Sequence, residues 1–132
     1  MAGYSGKPLI DKLGLRYGQL VYFRNAPKEY FSELGKLPAG IFVAKKLNRP
    51  MDFMHFFYTE SRELQKDTLL FKQYLVEGGI LWVSWPKKAS NVKTDISEQT
   101  LRDILLPHNL IDIKVVAISD VWSGLKFVWR KS

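Results

Sequence analysis

The sequence predicts an α/β domain on a mostly parallel sheet that ends in an antiparallel hairpin. Helix-like and strand-like segments alternate along the chain. From Tyr74 to Lys88 a helix end meets a Gly78-Gly79 stop, then an apolar run over residues 80–85 that is too short and too branched for a second helix. Only residues 119–124 separate the last two strand-like runs, too few for a parallel return.

Taken in order, Pro8 at a first helical position opens a short helix through Leu13, which Gly14 closes. Residues 19–24 form the first strand. Pro27 opens a second helix, ended by Gly35, whose Tyr30, Phe31 and Leu34 share a face. Leu37-Pro38-Ala39-Gly40 turns into a second strand over 41–46, and residues 52–58 form the third. Thr59 is placed to cap the next helix, with Glu60 and Glu63 in a first turn where carboxylates suit the helix dipole. Leu64, Phe71 and Leu75 form its buried stripe, and Gly78 is its expected left-handed cap before the strand over 80–85. Asp95 and Glu98 have the spacing of a capping box for a helix that buries Leu101, Ile104 and Leu105 and stops near Pro107. Residues 111–118 and 125–130 are the closing hairpin, with Trp122 and Gly124 at its turn.

This succession predicts a Rossmann-like three-layer sandwich spanning residues 1–132 as one domain, and it resembles the C-terminal half of class I methyltransferases, a resemblance that implies spatial strand order 2-1-3-4-6-5 with the sixth strand antiparallel. One link strains the scheme. Only residues 47–51 join strands two and three, whereas a parallel crossover usually takes a dozen or more. Either a unit has been trimmed to a short extended link, or strand two runs antiparallel.

Composition narrows the setting. Hydrophobic residues make up 46% of the chain and aromatics 14%, enough for a substantial core. Cysteine is absent, which removes disulfides, thiolate metal sites and thiol nucleophiles. No apolar run reaches the length of a membrane span, and the first residues lack the basic and apolar regions of a signal peptide, so a cytoplasmic setting is expected. Twenty Lys and Arg against thirteen Asp and Glu give a net charge of +7, favouring attraction to anions.

The helix ending in Gly-Gly, the strand after it, and the last helix leading into a hairpin resemble the C-terminal half of class I methyltransferases. The phrases Gly3-Tyr4-Ser5-Gly6 with Pro8-Leu9, Asn25-Ala26-Pro27, Trp85-Pro86-Lys87-Lys88 with Thr94-Asp95, and Asp120-Val121-Trp122-Ser123-Gly124-Leu125-Lys126 resemble a small bacterial family of uncharacterised proteins, a domain of unknown function. That second resemblance implies no activity. The first implies S-adenosylmethionine, held by a glycine-rich turn after strand one and an acidic residue ending strand two. Here strand one ends Arg24-Asn25-Ala26-Pro27 and strand two ends Ala44-Lys45-Lys46, so no cofactor is expected.

Other constellations read as structure. Gly3-Tyr4-Ser5-Gly6-Lys7-Pro8 lacks the glycine spacing and the Ser or Thr of a phosphate loop and is read as an arm leading into a helix. His55 sits in an apolar strand as a satisfied core histidine, and His108 follows a helix-ending proline where a cation suits the last carbonyls. No metal site and no catalytic residue is expected. Trp82, Trp85, Trp122 and Trp129 read as packing residues, with Trp85 at a strand end able to reach a pocket.

One feature stands out, because ligands in open α/β sheets bind outside the carboxyl ends of the strands. Asn25, Lys45, Lys46, Tyr58, Thr59, Trp85, Lys87 and Lys88 fall at those ends, with Arg49, Ser90 and Asn91 nearby, as a candidate anion crevice. The expected function is a non-enzymatic binding or accessory module for an anionic ligand or an acidic protein. The alternatives are a small transferase acting on a phosphorylated molecule and, last, a nucleic-acid-binding protein, for which no basic helix face is present.

Overall fold

A two-residue strand explains the short link that strains the sequence scheme. The computed structural model describes residues 7–131, so the Gly3-Tyr4-Ser5-Gly6 arm lies outside the described residues. Strand β1 (Leu20–Arg24) pairs with β2, which is only Phe42–Val43 rather than the expected 41–46, and the pairing is parallel. With β2 so short, the chain need not retrace a full strand. Residues 44–50 reach β3 (Met51–Phe57) on the other side of β1, and Ala44 and Leu47 pack on the core along the way. Seven residues extend to ~24 Å, ample for crossing two strand spacings of about 5 Å each.

The remaining elements give the predicted sheet. Strand β4 (Leu75–Pro86) runs parallel to β3, while β5 (Leu110–Ala117) and β6 (Trp122–Trp129) form the antiparallel hairpin. The order is β2-β1-β3-β4-β6-β5, with β6 antiparallel to β4. Helices α1 (Leu9–Leu13) and α2 (Lys28–Leu34) belong to one face; α3 (Ser61–Tyr74) and α4 (Glu98–Leu105) belong to the other. Leu13, Tyr30, Leu34 and Trp82 form part of the first core, and Leu64, Phe71, Leu101 and Leu105 part of the second. Among the described residues no helix is long and apolar enough to cross a membrane.

Several boundaries differ from the sequence expectation, each for a local reason. Helix α3 ends at Tyr74 with no glycine cap, because Leu75 turns extended, buries its side chain and pairs with Met51. Gly78 instead sits inside β4 at φ 79°, where residues 75–80 of β4 span only residues 51–53 of β3. That bulge needs a left-handed residue, which glycine supplies without strain. Phe31 is 46% exposed rather than buried, since Tyr30 and Leu34 one turn apart occupy the core stripe; its ring meets Phe23 edge-on. The capping box of α4 is Ser97 with Thr100, not Asp95 with Glu98.

His55 is fully buried at the middle of β3. Its Nδ1 lies 2.8 Å from the Tyr30 hydroxyl and its Nε2 2.7 Å from Ser84 Oγ, so the neutral ring donates at one nitrogen and accepts at the other. The ring stacks on Phe57 at 4.2 Å. Burial holds its pKa well below the usual histidine value. Unfolded His55 takes up a proton as pH falls through about 6.5 and the folded protein does not, so stability declines below that pH by up to ~1.4 kcal/mol per unit. Denaturant melts across pH 5–7 should show this slope, and a His55→Gln variant should be less stable yet lose that part of it. An unchanged slope would place the acid sensitivity elsewhere.

Candidate functional site

The carboxyl ends of β1, β3 and β4 face a crevice in which the chain places its own side chains. After β1, Asn25 takes a left-handed conformation at φ 61°, and α2 begins three residues later. Its Nδ2 donates to the Phe57 carbonyl at 3.2 Å, which ties the β1 turn across the end of β3. After β4, residues 87–96 fold back over β3. The Lys87 N–H donates to the Val121 carbonyl at 2.7 Å, and the Thr94 hydroxyl donates to the Thr59 carbonyl at 2.6 Å.

Asp95 completes this strap. Its carboxylate accepts both the Ser61 backbone N–H and the Ser61 hydroxyl, each at 2.7 Å, at the first residue of α3. Thr59, expected as the cap, lies outside the helix, and the capping position Glu60 makes no side-chain cap bond. A helix N-terminus presents unsatisfied N–H groups and a positive dipole end that suit an anion. Here the anion is the chain's own carboxylate. The hydrogen bonds from Ser61 hold the Asp95 carboxyl below its usual pKa. What remains is a shallow hollow of about 470 Å3 lined by Thr59, Glu60, Lys93, Thr94 and Asp95.

The candidate residues are distributed as follows. Tyr58 is buried and donates its hydroxyl to Asp67 at 2.6 Å; burial and that bond raise its pKa. Arg24, which the sequence reading passed over, reaches the same carboxylate at 3.5 Å and donates to the Tyr22 hydroxyl at 2.9 Å. Its guanidinium also lies 5.5 Å from the centres of the Tyr22 and Phe56 rings. This cluster locks the ends of β1 and β3 to α3. Trp85 is buried in the α3–α4 core, and Thr59 is exposed beside the strap. Lys45, Lys46 and Lys88 are exposed and Lys87 is half-buried. The two lysine pairs follow β2 and β4, with β1 and β3 between them, so about 14 Å of sheet separates them. They share an edge of the sheet without converging on one point. His108 lies apart, in a 3-10 turn after α4. Among the described residues no group of three His, Cys, Asp or Glu is placed to hold a metal.

No family model matches the chain, and no curated protein matches it in sequence. Solved structures do match. A Sulfolobus solfataricus protein assigned to the type 11 methyltransferases superposes with a TM-score of 0.67 at 11% identity, covering 100% of this chain and 95% of that one. The N-methyltransferase NodS from Bradyrhizobium japonicum gives 0.63 at 11% identity, covering 93% of each chain. A SAM-dependent methyltransferase from Aquifex aeolicus gives 0.60 at 16% identity, covering 90% of this chain and 86% of that one. At such identities the likeness shows the fold, which is methyltransferase-like.

S-adenosylmethionine, the cofactor that this fold implies, does not fit the residues present. The β1 turn carries Asn25, Ala26 and Pro27 where a close backbone approach needs glycine, and the Asn25 carboxamide is already bonded to β3. The residues that follow β2, Ala44, Lys45 and Lys46, include no acid for ribose hydroxyls.

Because Asp95 both caps α3 and pins the strap, an Asp95→Ala variant should melt at lower temperature and lose hydrogen-exchange protection at the Ser61 amide. The sign with pH follows from the depressed pKa: the cap is complete at neutral pH and is lost in acid as the carboxyl protonates. An unaltered melting temperature and unaltered Ser61 exchange would contradict the capping role.

Proposed function

We propose that this chain is a non-enzymatic binding or accessory module on a methyltransferase-like scaffold, one that lacks the S-adenosylmethionine site and contacts an anionic ligand or an acidic partner through its carboxyl-end loops. The observation that carries this is the occupied crevice: Asp95 sits at the N-terminus of α3 and Asn25 is tied to the end of β3. Lys45 and Lys46 on one side, and Lys87 and Lys88 on the other, flank that crevice. Cations spaced over about 14 Å suit an extended acidic surface better than one phosphate. The net charge of +7 favours the same class of partner. A cytoplasmic setting and the likeness to the small bacterial family belong to this reading, and neither adds an activity.

A fluorescent poly-glutamate peptide serves as the probe, read by anisotropy. The double reversals Lys45→Glu with Lys46→Glu, and Lys87→Glu with Lys88→Glu, should each weaken its binding by about tenfold or more, because like charges at an interface cost several kcal/mol. Both variants should keep unfolding free energies within ~0.5 kcal/mol of the parent, as exposed substitutions usually do. Binding indifferent to both reversals would contradict a carboxyl-edge surface.

A further inference from the structure

A β-bulge in the edge strand β5 reverses the direction of one lysine. The pairing with β6 shifts between Asp112, which stands opposite Phe127, and Lys114, which stands opposite Lys126. Phe127 and Lys126 are adjacent and point to opposite faces, so Asp112 and Lys114 do too, although two residues apart. In a regular strand they would share a face. Asp112 therefore turns towards α4, where the Arg102 Nε donates to it at 2.9 Å. Lys114 turns to the other face, directly across from Lys126. Like charges directly opposite one another destabilise a sheet.

A third cation joins them. Lys126 also stands across from Trp82 on β4, and the Trp82 indole N–H donates to the Leu13 carbonyl at 2.8 Å. That bond holds Leu13 over this part of the sheet, and the charge of Arg16, three residues on, acts on Lys126. Among the described residues none of the three forms an ion pair. Asp52 and Glu77 line the hollow beside Arg16, and Asp52 is engaged by the Leu20 N–H at 2.7 Å. Burial first, then Lys114 and Arg16, hold the half-buried Lys126 ammonium below the usual lysine pKa.

We propose that Arg16, Lys114 and Lys126 form a binding site for a compact, polyvalent oxyanion of the phosphate class, on the α1–α2 face of the sheet and separate from the carboxyl-end loops. One such anion satisfies three cations at once through charge-assisted hydrogen bonds and relieves the repulsion the bulge creates. Among the described residues the edge of this face lies open to it. Helix α1 has only five residues, and its Leu13 carbonyl accepts from Trp82 of β4, while beside it Lys126 is half-buried and Lys114 exposed. The shared chemistry is the phosphate group, whose source is either a free anion or the phosphates of a nucleotide.

The test is calorimetric titration and thermal melting of the full chain with diphosphate and with ADP, against sodium chloride at matched ionic strength. Diphosphate should saturate at one per chain and raise the melting temperature by mass action. Lys126→Gln should weaken that binding by about tenfold or more, the worth of a hydrogen bond to a charged group. Lys114→Gln should weaken it likewise while raising the melting temperature of the ligand-free protein, a pair of effects that a merely structural lysine would not give. The Lys87→Glu, Lys88→Glu variant should bind diphosphate as the parent does, so this site and the carboxyl-edge surface can fail independently. Tighter binding of diphosphate than of ADP assigns a free anion as the source, the reverse assigns a nucleotide, and either sustains the site. An absence of saturable binding overturns the proposal. So does an equal thermal gain in the parent and in Lys126→Gln, which is the general salting effect of phosphate. A ligand-free melting temperature that falls in Lys114→Gln contradicts the uncompensated repulsion on which the site rests.

Discussion

The hydrogen-bonded chain from Tyr30 through His55 to Ser84 fixes how the layers of this protein meet. It joins α2, β3 and β4 through three polar groups buried in an aromatic core, where an unmade bond costs far more than it does in water. The bond between the Tyr30 hydroxyl and His55 anchors α2 to β3, and Asn25, in the turn before α2, is tied to the end of the same strand. On the far side, Ser84 requires close approach by β6. A β-carbon at Gly124 would lie 3.2 Å from Ser84 Oγ and 2.9 Å from Ile118 Cδ1, so glycine is what fits between them.

With the sheet so fixed, the ends of the parallel strands become the place where a ligand would ordinarily sit, and the chain uses that place for structure. Asn25 ties β1 to β3, Asp95 and Thr94 tie the strap to α3 and to β3, and Tyr58, Asp67 and Arg24 fill the space beneath α3. Each is a polar group whose partner is supplied from within. The charge left over is displaced to two other places, the lysine pairs flanking the crevice and the bulge-directed cluster of Arg16, Lys114 and Lys126. A scaffold shared with methyltransferases thus presents a different chemical surface.

The alternation of elements and the closing hairpin were legible in the sequence because period, turn residues and connection length are local signals, and the strand order followed from the resemblance to class I methyltransferases. The direction of β2 was not, since residues 41–46 read as a full strand and nothing local reveals that only Phe42 and Val43 pair. The sequence marks Gly78 as a left-handed residue without distinguishing a helix end from a bulge; both need positive φ, and only the pairing of Leu75 with Met51 separates them. Asp95 caps a helix, as its residue type suggests, but the helix is not the one that follows it in sequence. Its true partner, Ser61, lies 34 residues earlier, beyond any spacing rule. The candidate crevice shared this fault. Strand ends located Asn25, Tyr58 and Lys87 correctly along the sheet, whereas their hydrogen-bond partners depend on packing between distant segments.

The closed crevice is tested most directly by calorimetry of the unmodified chain with S-adenosylmethionine and with its demethylated product. The groups at the β1 turn and the α3 N-terminus that would hold either compound are already engaged by Asn25 and Asp95, so heats no larger than dilution are expected at micromolar concentrations. Saturable binding of either one with micromolar or tighter affinity would contradict the closure and restore a cofactor site to this fold.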